Sequence, residues 1–177
     1  MYVKYEAVEQ MKEVLGREYE ELLVTLLNER HMCFETESQL RSRGKPKTPD
    51  VLFLIPMGTT IYPLDLPCLN KIHNGSKEQP NTALDITDKK SVVINWIDSK
   101  AMFADVQTFK ENLEQFRAYN NRYGRGLVIY WHGFVKDVCS LLSDDMIIVR
   151  DRFPDNWMFP TGEPADGRIP AFDEVLL

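Results

Sequence analysis

The segment Val51–Ile55, with the sequence VLFLI, constrains the fold more than any other part of the chain. Its apolar residues follow one another without polar alternation, which is typical of a strand that is buried on both faces of its sheet. Helices usually supply that cover, because a sheet buries both faces most readily between helical layers. The segment therefore predicts a core strand of an α/β protein.

Helical periodicity marks two longer segments, Gln10–Arg30 and Val106–Tyr123, in which apolar residues recur three or four positions apart. Gly124 and Gly126 close the second segment, because glycine suits the C-terminal end of a helix. A short helical turn and three further strands are predicted at Glu37–Arg43, Val92–Ala101, Leu127–Phe134 and Met146–Val149. The order of these elements predicts an α/β fold with a central mixed β-sheet flanked by α-helices.

The chain has 177 residues, enough for one well-packed domain and too few for two. We predict that the domain spans residues 1–153 and contains a proline-rich insertion at 56–91 between two core strands. Residues 154–177, rich in proline, glycine and aspartate, are expected to form an extended C-terminal tail. No apolar run approaches the roughly 20 residues of a membrane helix, so we expect an intracellular protein, in the nucleus, the cytoplasm or both, with no membrane partner.

The formal net charge of −6 argues against a protein that coats nucleic acid broadly, since phosphate binding draws on lysine and arginine. Positive charge is nevertheless concentrated in one short segment. Arg41, Arg43, Lys45 and Lys47 fall within it and are candidate nucleic-acid-binding residues. The alternative is that this alternating run is a solvated loop without a ligand.

Asp98 and Lys100 lie two residues apart on the predicted strand Val92–Ala101, so their side chains point to the same face of the sheet. Ile94 and Trp96 are expected on that face too. Burying a carboxylate and an ammonium beside an apolar layer is costly unless they are paired or bind a metal. The alternative is a strand end that has reached solvent and carries a simple ion pair.

Asp50 directly precedes the predicted buried strand, which places a second carboxylate at the mouth of the sheet. Carboxylates can hold Mg²⁺ while water and a substrate phosphate complete its coordination, and the ion then lowers the pKa of the attacking water. A nearby lysine can offset the charge of the transition state. Taken alone, Asp50 also fits a turn residue that follows Pro49.

The sequence Pro49-Asp50, followed by Asp98-Ser99-Lys100, resembles the PD…(D/E)xK signature of nucleases with the restriction-endonuclease-like fold. The resemblance implies that Asp50, Asp98 and Lys100 are catalytic and that the two aspartates bind Mg²⁺ or Mn²⁺. The gap between the two halves of the signature is longer than usual in such nucleases, and we attribute this to the proline-rich insertion.

The same resemblance implies accessory residues on the two long helices. Glu20 would be a further metal-site residue, and Gln115 with Tyr119 would form an accessory pair. Gln115 and Tyr119 are four residues apart and so share one flank of their helix. Helix geometry alone leaves Glu20 equally consistent with a solvated glutamate, and Gln115 and Tyr119 with a surface pair.

A closer resemblance covers roughly residues 10–153. The segments EYEELLVTLL, QLRSRGKPKTPDVL, WIDSKAMFAD and NRYGRGLVIYWHGF are similar to the codanin-interacting nuclease family. That family often has Glu where this chain has Asp98, a change that Mg²⁺ binding should tolerate because both side chains offer carboxylate oxygens. The family also carries a further helical N-terminal region. This resemblance implies a codanin-like protein partner.

These observations predict an Mg²⁺- or Mn²⁺-dependent nuclease that hydrolyses phosphodiester bonds of DNA, including structured or branched DNA, with RNA a less favoured substrate. The rival interpretation is a nuclease-fold interaction module that acts through a protein partner and is catalytically weak or inactive. Retention of all three catalytic charges favours the enzyme. The three cysteines and three histidines lack the spacing of a zinc site, and no nucleophile elbow supports a serine or cysteine nucleophile.

Overall fold

The computed structural model of the chain describes residues 2–61, 90–142 and 146–166, with side chains from residue 7 onward. Within these ranges there are four helices and six strands. In chain order they are α1 (Tyr2–Glu29), β1 (Phe34–Thr36), α2 (Glu37–Ser42), β2 (Val51–Ile61), β3 (Lys90–Lys100), α3 (Val106–Tyr123), β4 (Gly126–Tyr130), α4 (Asp137–Ser140), β5 (Ile147–Arg150) and β6 (Trp157–Met158). Both long helices predicted from periodicity are present, and α1 begins earlier than expected.

The six strands form one mixed sheet in the order β1-β2-β3-β4-β5, with β6 paired to β2. β1, β2, β3 and β6 make antiparallel pairs, whereas β3, β4 and β5 run parallel to one another. Helix α3 is the crossover between the parallel strands β3 and β4. The predicted α/β fold with a mixed sheet flanked by helices is confirmed. Among the described helices, none is long and apolar enough to span a membrane.

Two apolar cores, one on each face of the sheet, hold the long helices in place. On one face, Leu23 of α1 packs in a cluster that includes Ile97 and Ile129. On the other face, Phe116 of α3 stacks on Trp96 with a centroid distance of 6.4 Å. Each fully buried side chain of this size stabilises the fold by roughly 1.5–3 kcal/mol. The sheet therefore separates α1 from α3.

The connection between α3 and β4 depends on two glycines, as the sequence suggested. Asp105 begins α3 by accepting a hydrogen bond of 2.7 Å from the backbone N–H of Thr108. Gly124 ends the helix with φ of +85°, a conformation that favours glycine. At Gly126 an added Cβ would lie 1.9 Å from the ring of Trp96, so only glycine lets the chain pass beneath this indole.

Strand β2 is longer than predicted. It continues through Pro56 to Ile61, so the first residues of the predicted insertion at 56–91 belong to the sheet, and β3 begins at Lys90. A register shift between Leu52 and Met57 accommodates the proline, because proline is tolerated where ladder hydrogen bonds are interrupted. The remainder of the predicted insertion, residues 62–89, lies outside the described part of the chain.

The expectation that Val51–Ile55 is buried on both faces was wrong at the end of that segment. Val51 and Phe53 are buried, but Leu54 and Ile55 are 61% and 47% exposed. The difference arises because β2 pairs in an antiparallel manner with β1, β3 and β6, and an antiparallel sheet can leave one face open. An apolar run therefore did not guarantee two covered faces.

The alternation of side chains along β3 slips at Asn95. Ile94 belongs to the core beneath α1, whereas Trp96 belongs to the core beneath α3. The expectation that Ile94 shares a face with Trp96 and Asp98 was therefore wrong. At the position of the slip, the backbone N–H of Asn95 donates a hydrogen bond of 2.8 Å to the carbonyl of Arg125, the residue before β4.

Residues beyond 153 do not all form an extended tail. Trp157 and Met158 form β6, which pairs with β2, and the Trp157 ring packs at 5.6 Å from that of Phe53. Trp157 and Ala165 are each 1% exposed. The folded domain therefore extends past the predicted boundary, and residues 167–177 lie outside the described part of the chain.

Candidate functional site

Asp98 and Lys100 stand at the C-terminal end of β3, where polar side chains follow the apolar ones. The Lys100 ammonium lies 2.5 Å from Asp98 Oδ1, and the two side chains are 18% and 1% exposed. The same ammonium lies 5.8 Å from the centroid of the Phe116 ring, within range of a cation–π contact with α3. The pair is therefore buried rather than placed at a solvated strand end.

The carboxylate of Asp98 has one close donor, the Lys100 ammonium beside Oδ1. Its other oxygen, Oδ2, is buried and accepts no hydrogen bond from the described residues. Burial raises the pKa of Asp98, and the charge of Lys100 acts in the opposite sense. Buried carboxylates normally have their lone pairs occupied, because an unpaired buried acceptor costs free energy. The lone pairs of Asp98 are thus available to a ligand of this site.

Asp50 stands directly before β2, whose antiparallel pairing with β3 brings it beside Asp98. Its Oδ2 accepts a hydrogen bond of 2.7 Å from the backbone N–H of Ser99. Burial and then the charge of Asp98 raise the pKa of Asp50 well above its usual value, while Lys100 and the Ser99 hydrogen bond act against this. The structure therefore brings the three predicted catalytic residues together.

Glu20 of α1 borders a cleft of about 660 Å³ beside this group. The charged residues lining the cleft are Arg17, Glu20, Glu21, Glu37, Arg41 and Asp50. Partial burial and the charge of Glu37 raise the pKa of Glu20, Lys100 lowers it, and Asp98 raises it further. Glu20 is solvent-exposed, so it belongs to the open side of the site, within electrostatic reach of the buried charges.

Glu37 is a cleft residue that sequence reasoning missed. It is the first residue of α2, whose start is fixed by a capping box between Thr36 and Gln39. Its backbone N–H donates to the carbonyl of Asp50 over 2.9 Å, which ties the start of α2 to the site. The sequence Thr-x-x-Gln was a signal for the helix start, but it did not indicate that Glu37 would face Glu20.

Gln115 and Tyr119 share a flank of α3, as predicted. Gln115 Nε2 donates a hydrogen bond to the Tyr119 hydroxyl. Burial raises the pKa of Tyr119 to about 12, with Asp98 acting in the same direction. A second tyrosine on this face, Tyr130, pairs in register with Lys100, and burial raises its pKa to about 12. Sequence reasoning assigned Tyr130 only to a strand.

The basic segment at residues 41–47 is exposed, but its members differ. Arg41 lines the cleft and pairs with Glu37 at 2.7 Å, and Arg43 pairs with Glu35 of β1. Lys45 and Lys47 are exposed and make no ion pair with the described residues. The structure therefore places one of the four predicted nucleic-acid-binding residues, Arg41, at the cleft itself.

The site offers oxygen ligands rather than nitrogen or sulfur ligands. Asp98 supplies buried carboxylate oxygens, Asp50 supplies partly buried ones, and Glu20 supplies exposed ones. In the described ranges, no three His, Cys, Asp or Glu side chains are grouped closely enough to hold an ion unaided. A donor set of two carboxylates suits a hard cation that keeps part of its water shell and shares the rest with a phosphate.

Comparisons with known proteins show where the chain belongs. A family model described as "Protein of unknown function TPD sequence-motif" matches residues 2–62 and 70–153. The chain is 35% identical over 150 residues to a Xenopus laevis protein and 32% identical over 151 residues to a Homo sapiens protein, both named "CDAN1-interacting nuclease 1". Each alignment covers 84% of this chain but only 39% and 42% of the relatives, so the chain spans about two fifths of their length. No solved structure matches.

The letters of the family's motif occur in this chain as Thr48-Pro49-Asp50, and β2 begins directly after this Asp50 of the candidate site. Thr48 is 2% exposed, so this segment is packed into the domain rather than displayed on a loop. The family match extends over β1 to β5, both long helices and every candidate site residue described above. The chain therefore belongs to the TPD sequence-motif family, alongside relatives that are named as nucleases.

Proposed function

We propose that the chain is a metal-dependent nuclease that hydrolyses phosphodiester bonds of DNA, with Asp50, Asp98 and Lys100 as catalytic residues. The observation that carries the proposal is the buried Asp98 carboxylate, whose Oδ2 has no hydrogen-bond donor among the described residues while Asp50 and Lys100 lie beside it. Such a group of charges is costly to bury, and a ligand that completes it would offset that cost. The relatives are named as nucleases, which supports the nuclease part of the proposal.

Mg²⁺ or Mn²⁺ is the ligand that suits these oxygens. Asp50 and Asp98 would hold the ion directly, and Glu20 would act from the open side of the site. When bound, such an ion polarises the phosphate and lowers the pKa of an attacking water. We also propose that the sheet and its two long helices are a restriction-endonuclease-like core carrying a PD-(D/E)xK site, with DNA favoured over RNA and an intracellular location.

The remaining residues have roles that follow from their positions. The Lys100 ammonium would stabilise the negative charge that develops on the phosphate oxygens during attack. Because the Tyr119 hydroxyl accepts its hydrogen bond from Gln115, its own proton is left to donate toward a phosphate oxygen. The backbone N–H of Ser99 holds the Asp50 carboxylate in place without adding charge.

A cleavage assay tests the proposal. Labelled branched, single-stranded and duplex DNA would be incubated with the chain in Mg²⁺, in Mn²⁺ and in EDTA. We expect cleavage in either metal and none in EDTA, and we expect Asp50→Asn and Asp98→Asn to abolish it. Asp155→Asn, which removes an exposed carboxylate between β5 and β6, is the matched control and should cleave normally. Wild-type cleavage by either site variant would show that these residues are wrongly assigned.

Metal binding can be measured without activity. An ion that binds only the folded state raises the melting temperature, and the rise grows with the logarithm of its concentration relative to its Kd. Mn²⁺ should therefore raise the melting temperature of the parent chain and of Asp155→Asn, but not that of Asp98→Asn. An equal rise in all three proteins would place the ion elsewhere.

A second candidate function is supported by the names of the relatives, which describe proteins that interact with CDAN1. A nuclease-fold module of this kind would act through a codanin-type partner and could be weakly active or inactive. Helix α1 exposes Val8, Met11 and Val14 by 51%, 71% and 51%, an apolar face that a protein partner would cover. Size-exclusion chromatography with a purified codanin-type protein should show co-elution that Met11→Asp weakens. Separate elution of the parent chain would rule this function out.

A further inference from the structure

Aromatic side chains surround the C-terminal ends of β3 and β4, next to the candidate catalytic pair. Tyr19 of α1 stacks on Trp131, with ring centroids 5.2 Å apart and planes inclined by 28°. His132 meets the Tyr19 ring edge-on at 5.6 Å. The ring of Phe103 lies over Gly133, where an added Cβ would come within 3.8 Å of it. We call Tyr19, Phe103, Trp131 and His132 the aromatic rim.

Backbone and side-chain hydrogen bonds fix the aromatic rim to the catalytic strand. The backbone N–H of Trp131 donates to the carbonyl of Lys100 over 3.1 Å, and its indole N–H donates to Ser99 Oγ over 2.8 Å. Tyr19 directly precedes Glu20 on α1, which borders the cleft. Tyr19 and Trp131 therefore lie on the α1 side of the sheet, at the same C-terminal end of β3 at which Asp98 and Lys100 face α3.

Several of these rings are not needed to fill a core. Phe103 is 51% exposed, its neighbour Met102 is 41% exposed, and His132 is exposed. Trp96 and Trp157 are buried, whereas Trp131 is only partly buried. Isolated exposed apolar residues are ordinary, but a contiguous group beside a candidate active site marks a surface that binds something.

We propose that the aromatic rim stacks unpaired bases of a DNA strand whose phosphate lies at Asp98 and Lys100. This inference rests on the nuclease function proposed above and names its substrate class. Bases in a duplex are already stacked on their neighbours, whereas an unpaired base offers a face to an aromatic ring whatever its sequence. Arg17 and Arg41, which line the adjoining cleft, supply positive charge for the backbone of the same strand. The substrate is DNA with a single-stranded segment, such as an overhang, a gap or a flap.

Binding measurements in EDTA separate stacking from phosphate contacts, because EDTA prevents metal-dependent cleavage. Three labelled probes would be used: a single strand, the same strand with several central bases replaced by abasic sites, and a blunt duplex of equal length. Phe103→Ala combined with His132→Ala removes two exposed rings without opening a core. Val93→Ala, which alters a residue that is also 51% exposed on β3, is the matched control.

The parent chain and Val93→Ala should bind the single strand about 10-fold more tightly than the abasic strand, the scale of one lost stacking contact. The double variant, which keeps Tyr19 and Trp131, should show a clearly smaller preference for the intact strand, and its duplex affinity should stay within about twofold of the parent. Tryptophan fluorescence of the parent should be quenched by the single strand and not by the abasic strand, and Trp131→Phe should remove that signal.

Equal binding of intact and abasic strands by the parent chain would overturn the inference, as would an equal loss of strand and duplex binding in the double variant. The nuclease proposal fails separately. Base-dependent binding without cleavage in Mg²⁺ or Mn²⁺ would support the inference about the rim and contradict the nuclease proposal. Cleavage that does not depend on the rim would support the nuclease proposal and contradict the inference about the rim. Absence of any binding would overturn the inference about the rim.

Discussion

Two ion pairs in this protein each join a buried carboxylate to a cation, and they differ in how exposed the cation is. Glu35 of β1 is 8% exposed and pairs with Arg43, whose side chain is 65% exposed. Asp98 of β3 is 1% exposed and pairs with Lys100, whose side chain is 18% exposed. Water therefore solvates the guanidinium of the first pair, whereas the second pair has lost most of its hydration on both sides.

The difference separates a charge that serves the fold from one that serves a ligand. A buried pair loses more hydration than its attraction returns unless further hydrogen bonds satisfy the remaining lone pairs. Oδ2 of Asp98 is buried and has no such bond from the described residues, whereas neither oxygen of Glu35 is both buried and unbonded. The Glu35–Arg43 pair anchors the segment after α2 to the sheet. We infer that the Asp98–Lys100 pair is retained for its chemistry.

The largest expected effect is that of removing Lys100, and its absence would remove the distinction between the two ion pairs. Lys100→Ala should lower the single-turnover cleavage rate by about 100-fold or more, the scale of losing one positioned electrostatic group. Metal affinity should stay similar or rise, because the ammonium no longer opposes the cation. Single-turnover kinetics at saturating Mg²⁺ would measure this, since that regime isolates the chemical step from binding and product release.

Two further variants control the Lys100 measurement. Lys110→Ala removes an exposed lysine from α3 and should leave the rate within about threefold of the parent. Lys100→Arg should not restore full activity, because a planar guanidinium fits a different geometry from a compact ammonium. If Lys100→Ala itself cleaved at nearly the parental rate, Lys100 would be a counter-charge like Arg43, and the two pairs would be alike.

A smaller effect concerns stability without metal. Asp50→Asn should raise the melting temperature in EDTA, because burial and the charge of Asp98 raise the pKa of Asp50 in the folded state. An acid whose folded pKa is raised stabilises the fold only while it is protonated, and that stability is lost as pH rises. The gain from asparagine should therefore be absent below the unfolded pKa of about 4 and larger at high pH than at low pH.

Thermal unfolding in EDTA at acidic and alkaline pH would measure the effect of Asp50→Asn, with Asp155→Asn as the control. The exposed Asp155 control should shift the melting temperature little at either pH. A marked loss of stability in Asp50→Asn would mean that this carboxylate stabilises the fold. Asp50 would then not belong with the charges that are retained for a ligand.

The smallest effect would sharpen the comparison within the basic segment. Arg41 and Arg43 are engaged by glutamates, whereas Lys45 and Lys47 make no ion pair with the described residues. Replacing both lysines with alanine should reduce the slope of log K for DNA against log salt by about two units. A double alanine variant at two lysines outside the segment should leave the slope unchanged. If the slope also survived in the Lys45 and Lys47 variant, DNA would bind to another surface.

Much of the fold could be predicted because its elements are regular. Helix α3 begins where periodicity indicated and ends where Gly124 indicated, and β3 carries Asp98 and Lys100 on one face as their spacing required. β1 and β6 could not be predicted, because strands of three and two residues carry no periodicity of their own. The same applies to β2 beyond Pro56, where pairing with β3 outweighs the local preference of proline.

The candidate site was predictable to the extent that its residues lie on regular elements. Asp50 and Asp98 meet because β2 and β3 are antiparallel neighbours, and neither residue pattern alone specifies that pairing. Glu37 was not found, because its position depends on how α2 is held against β1 and Asp50. The aromatic rim was not predicted from the sequence for the same reason. Tyr19 and Trp131 are separated by more than a hundred residues, and only the assembled sheet places them in contact.

The pairing of β2 with β3 has a consequence for protein engineering. These strands pair from Val51 with Ile97, beside the site, to Ile61 with Lys90 at the far end, which is seven residues away along β3 and hence roughly 24 Å from the site. Residues 62–89 join the strands at that far end. Replacing them with Asn-Gly, the pair preferred in two-residue hairpin turns, should yield a shorter chain with an unaltered site. The same junction could accept a fluorophore or a crystallisation tag without disturbing cleavage.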